Sequence, residues 1–260
     1  MAMDASHFSM VGFQVDTRSQ AGVGQAVQRH LAGCAPADLP PPNLVCRVRD
    51  PSGGELTIGL TRGADGQAEF ATLNPGFVGE GRTEVEVTAD VSDVQWKPFE
   101  VTLSARFAGE ETPLVFDLAD PVQADRFKPG AKVVVDIAAF GFKPAVHADE
   151  AAFDKSQAKA KVRFASNFFI PTGLFAEKLG GTLSADGRPT AYADFAGKVL
   201  KAELRTNQAG SGRFWWALVE TYGGATVDVV IDPRTIRRDP KPGSIVAGRF
   251  WLSARLASGG

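Results

Sequence analysis

The sequence predicts a mainly β protein in which two related OB-like small antiparallel barrels (residues 76–143 and 188–260) follow an N-terminal β-α-β-β-β segment (1–75) and flank a helical, phenylalanine-rich bridge (144–187). Short alternating runs divided by Gly, Pro, Asp and Ser turns give the β content. Landmarks that return 113 to 118 residues later give the repetition. An apolar share of 44% beside 22% charged residues allows a packed core.

In the N-terminal segment, residues 7–15 read as a strand. Thr17 and Gln20 have the capping-box spacing that opens a helix, Val23, Val27 and Leu31 share one helical face, and Gly33 ends it. After Pro40-Pro41-Pro42, the runs 44–49, 55–61 and 68–73 alternate about the turns 51–54 and 63–66, the signal of a meander. In the bridge, Asp149 is placed to cap a helix to about Lys161. Phe164, Phe168, Phe169, Ile170, Leu174 and Phe175 follow, and so many large apolar groups are expected to be buried as glue between the barrels.

The repetition rests on three matches. Phe77-Val78-Gly79 resembles Phe195-Ala196-Gly197, residues 99–103 resemble 214–218, and Lys128-Pro129-Gly130 returns as Lys241-Pro242-Gly243, at offsets of 118, 115 and 113 residues. Superposition would then place Gly79 over Gly197 and Gly130 over Gly243. Each unit, with a tight glycine turn at Gly109 or Gly223-Gly224, is too short for a sandwich and removes its exposed edges by closing. In strand rhythm, most clearly over 190–256, the units resemble the OB-fold, which implies a surface for oligonucleotides or oligosaccharides but no chemistry. Segments 6–13 and 169–175 are also similar to uncharacterised bacterial proteins, from which no activity carries over.

Catalytic signatures are missing from the sequence. It has no G-x-S-x-G and no G-x-x-x-x-G-K-[ST], Gly22-Val23-Gly24 lacks the third small residue of a dinucleotide fingerprint, and His7, His30 and His147 are far apart. His30 with Cys34, and His147 with Asp149 and Glu150, fall short of the four ligands of a zinc site. No metal and no cofactor are expected. Cys34 and Cys46 flank the proline stretch without C-x-x-C spacing and are expected as free thiols in a reducing compartment, with a bridge between them as the alternative. The opening residues lack the basic and apolar regions of a signal peptide, and no apolar run reaches the roughly 18 residues of a membrane span. A cytoplasmic location with no membrane partner is the expectation.

Net charge is −2, yet residues 188–260 hold 11 Lys/Arg against 6 Asp/Glu. There, strand alternation sets Phe214, Trp216 and Leu218 on a core face and Arg213 and Trp215 on the other, joined by Arg249, Trp251 and Arg255 of the last strand. Arg213, Trp215, Arg249, Trp251 and Arg255 are therefore the candidate ligand-binding residues, flat rings and cations that stack bases and hold phosphates. The opposing reading packs both tryptophans against the N-terminal segment or the bridge, with the arginines over their rings. The expected function is that of a non-catalytic binding or adaptor protein for a protein or small ligand. Its alternatives are single-stranded nucleic-acid binding by the second barrel and an enzyme with a site between domains.

Overall fold

A computed structural model describes residues 6–257. They are mainly β, with a closed eight-stranded barrel and a separate four-stranded antiparallel sheet. That sheet is a meander of β1 (Ala35–Asp38), β2 (Asn43–Arg49), β3 (Gly54–Arg62) and β4 (Ala68–Phe77). The last three are the strands expected from turn chemistry. β1 gave no alternating signal because it contains Pro36, which a sheet edge tolerates.

Residues 7–15 do not form the expected strand. Ser6 and Ser9 exchange hydroxyl–backbone hydrogen bonds, Ser9–Val11 make a short 3-10 turn, and Gly12 (φ 79°) redirects the chain. Met10, Val11 and Phe13 are all buried, without the alternation a strand would show. α1 (Gln20–Leu31) is capped by Ser19, whose hydroxyl accepts from the Gly22 amide at 3.0 Å, and not by Thr17. Asp16 explains the shift by accepting from the Arg18 amide and guanidinium, which sets a turn ahead of the helix. The buried face is Ala26, Val27 and His30, so Leu31 is left exposed.

Cys34 and Cys46 form a disulfide with Cα atoms 5.4 Å apart, a correction to the expected free thiols. The β1–β2 hairpin causes it, because pairing Pro36 with Cys46 brings the two ends of the proline stretch together. Closing a loop of this size constrains the unfolded chain, so Cys34→Ser is expected to cost about 3 kcal/mol in non-reducing urea unfolding. Equal stability of variant and wild type would mean that the bond contributes nothing.

The barrel is built from two sets of four strands. The first is β5 (Thr83–Asp90), β6 (Thr102–Phe107), β7 (Pro113–Leu118) and β8 (Lys132–Gly141). Two short strands, β9 (Ala145–His147) and β10 (Phe169–Ile170), separate it from the second, β11 (Tyr192–Thr206), β12 (Arg213–Glu220), β13 (Thr226–Ile231) and β14 (Ile245–Leu256). Within each set the order is the same and antiparallel, 8-5-6-7 and 14-11-12-13. The sets meet at two parallel seams, β7 with β14 and β8 with β13, while β8 and β14 also pair antiparallel. The two units expected as barrels are thus joined as halves of one.

The register of the halves agrees in detail. Each first strand carries a bulge, between Val87 and Ala89 or between Val199 and Lys201, and Gly130 and Gly243 each donate to the carbonyl before it at 2.8 Å. Gly79 and Gly197 do not correspond. Gly197 lies inside β11, where a Cβ would meet Val219 and Glu220, whereas Gly79 precedes β5 and lies against the Asp228 carboxylate. Two unrelated close approaches require the same residue type, which is why the triplets look alike. The match of 99–103 with 214–218 is one residue out, since Ala105 and Val219 hold equivalent places opposite Val87 and Val199.

Alternate residues of all eight strands fill the barrel, among them Val85, Leu103, Phe116, Ile137, Phe195 and Phe250. A barrel of this size has room for side chains and little else. A second core joins its outer wall to the sheet and the N-terminal turn, with Met10, Phe13, Leu56 and Phe77 against Phe140, Phe214 and Trp216. In the bridge, α2 (Glu150–Ser156) is capped by Asp149 as expected but stops before Lys161, because the Gln157 side chain turns back to bond both backbone groups of Phe164. Phe169 is buried, while Phe164 and Phe175 are each 40% exposed, so only part of the bridge is glue. No helix among the described residues is long and apolar enough to cross a membrane.

Candidate ligand-binding cleft

The five residues expected to share a surface are divided by the fold. Arg213 is exposed at the mouth of a hollow of about 470 Å³ beside the N-terminal turn. Trp215 packs against the barrel core. Arg249 is held by Asp194 at 2.6 and 2.9 Å and by the Gly180 carbonyl. Arg255 is buried in an ion pair with Glu55 at 2.7 Å. Trp251 lies on the outer wall, its ring 4.5 Å from His7 and 4.7 Å from Phe140. Alternation could not sort them, because both faces of β12 are covered, one by the barrel interior and the other by the second core.

Trp251 nevertheless leads to a site. In β7 the residues Leu114, Phe116 and Leu118 point into the barrel, which turns Asp117 outward. The strand pairings then align four outward groups across β6, β7, β14 and β11: Thr102 faces Asp117, Asp117 faces Ser253 two residues from Trp251, and Trp251 faces Tyr192. Asp117 accepts from the Thr102 hydroxyl and from the Trp251 indole, each at 2.6 Å. A cleft of about 320 Å³ opens over this row, walled also by Trp96, Glu100 and Arg188. A smaller lobe of about 80 Å³ shares Glu100, Asp117 and Trp251 and runs towards Thr57 and Asn74 of the sheet.

Charge in the cleft is unbalanced. Arg188 is engaged by Asp93 and Asp186, each at 2.6 Å, and Lys97 by Asp90 at the same distance. Glu100 and Asp117 have no Lys or Arg within ion-pair distance among the described residues. Burial pushes Asp117 up to about 6 against the pull of its two donors, and the charge of Glu100 adds to the rise. Glu100 is exposed to solvent, yet partial desolvation in the cleft wall raises its carboxyl, with the charge of Asp93 adding to the rise. With its carboxyl raised to about 6, Asp117 is largely ionised at neutral pH, and the neighbouring Glu100 makes that ionisation costlier.

Sequence reasoning passed over Asp117 and Glu100 because neither belongs to a motif. The available signal was an aspartate inside the apolar run Leu114-Val115-Phe116-Asp117-Leu118. With the geometry in place, the chain is defined as a closed β-barrel that carries an acidic, aromatic cleft on its outer wall. No protein-family model matches the sequence, and no curated protein is significantly similar to it.

Proposed function

We propose that the chain is a non-catalytic binding protein whose ligand occupies the cleft over Asp117, Glu100 and Trp251. One observation carries this reading: a carboxylate fixed by two donors beside a second carboxylate, neither neutralised, in a hollow with aromatic walls. An enzyme remains the second reading, because an acid titrating near 6 is suited to proton transfer. Against it, both Asp117 oxygens are engaged by donors that favour the charged form, as suits an anchor. The single-stranded nucleic-acid alternative loses its shared platform, with Trp215 against the barrel core and Arg255 buried.

The common register of the strand sets supports a duplicated ancestral unit, and barrel closure is the part of the OB-fold likeness retained here. A cytoplasmic location and the Cys34–Cys46 bond make opposite demands on redox environment, and the bond favours an oxidising one.

The indole N–H signals of the four tryptophans offer a direct test. In an NMR screen with small amines, methyl glycosides, nucleosides and dicarboxylates, at least one class is expected to shift the Trp251 signal saturably. Silence of that signal with every class would remove the cleft as a binding site.

A further inference from the structure

Resting on that binding site, we infer that the group it takes is an organic cation, a guanidinium or primary ammonium such as an arginine or lysine side chain presents. The charged and titratable groups around the cleft are Asp93, Asp186 and Arg188 on one side, Asp90 and Lys97 beside them, and Glu100, Asp117 and Tyr192 on the others, with His7 behind Trp251. Cations in this set are already shared among Asp93, Asp186 and Asp90. Two cations face five carboxylates in this set, Glu100 and Asp117 are the two that no cation engages, and an incoming cation would offset their charge.

The walls agree with the charge. A guanidinium set between Glu100 and Asp117 would lie beside the rings of Trp251 and Tyr192, with the 46% exposed Trp96 at the entrance. Aromatic faces attract cations, more strongly where water is partly excluded. The volume of about 320 Å³ fits one side chain or small amine and not an oligomer. Phosphate or carboxylate ligands would meet like charge at the cleft floor. A sugar would use the rings without needing the charge, and the test separates the two.

Calorimetric titration of the intact protein with N-acetyl-L-arginine methylamide, compared with the citrulline analogue of equal shape and no charge, decides the matter. The arginine probe is expected to bind saturably at pH 7.5 and the citrulline probe at least tenfold more weakly. Between pH 7.5 and 5 the arginine affinity should fall about tenfold, because the carboxylate that attracts it takes up a proton below about pH 6. Asp117→Asn should abolish most of that pH dependence, with thermal unfolding as the check that the variant is folded. Equal affinity for the two probes, or a flat pH profile in the wild type, would overturn the cation assignment. Binding of methyl glucoside alone, with a shift of the Trp251 signal, would overturn it while leaving the site in place. Absence of any binding or any shift would remove both.

Discussion

Arg255→Met is expected to destabilise the protein by about 3–5 kcal/mol in urea unfolding, one of the two largest effects anticipated from a single substitution. Arg255 and Glu55 are both buried, their 2.7 Å contact joins β14 to β3, and in the strand register Arg255 also faces Asp136. Burial alone would push Glu55 up, but the guanidiniums of Arg255 and Arg49 outweigh it and hold the carboxyl below its ordinary value. Burial raises Asp136 to about 6 even with Arg82 and Arg255 nearby. Without Arg255, two buried carboxylates depend on Arg49 and Arg82, both substantially exposed. Adding Glu55→Leu to Arg255→Met should recover much of the loss, since removing a buried pair whole costs less than breaking it. A single-variant effect below about 1 kcal/mol would mean that water already reaches the pair.

Phe250→Ala is expected to cost about 3–5 kcal/mol. Its ring is fully buried inside the barrel and stacks on Phe195 at 4.1 Å, Phe195 stacks on Phe169, and Phe169 meets the edge of Phe107. Eight strands surround this row, so the walls have little freedom to collapse into the space left. Phe164→Ala, at a ring 40% exposed, should cost under about 1 kcal/mol and serves as the comparison. Equal effects at the two positions would mean that the bridge, and not the barrel, holds this part of the molecule.

What the sequence made legible follows from the range of the interactions. The meander β2–β4 and the cap of α2 were readable because turn residues and a capping aspartate act within a few positions. The number of barrels was not readable, because each strand set has the local pattern of a self-contained unit and only the parallel seams at β7/β14 and β8/β13 join them. The candidate cleft was half visible. Trp251 stood out as an aromatic residue in a strand, but its neighbour Asp117 is 134 positions away, a proximity that only the seam creates. Trp215 and Arg255 were misplaced for one reason, that a strand covered on both sides carries no solvent face to read. Aspartates inside apolar runs, Asp117, Asp136 and Asp228, were the overlooked signal, and all three have raised carboxyl groups.

The passage of β14 from β11 in its own half to β7 and β8 in the other has a consequence for how the molecule is made. While a nascent chain holds only residues up to β8, the first half has two unpaired edges, and Met10 and Phe13 lack the cover that Phe214 and Trp216 later provide. Glu55 waits still longer, for a partner 200 residues further on. Closures this distant in sequence favour slow, all-or-none acquisition of structure over stepwise growth. The acidic cleft, which takes Asp117 from one half and Trp251 and Tyr192 from the other, therefore has no existence in a partly synthesised chain, and the proposed ligand site forms only when the ring is complete.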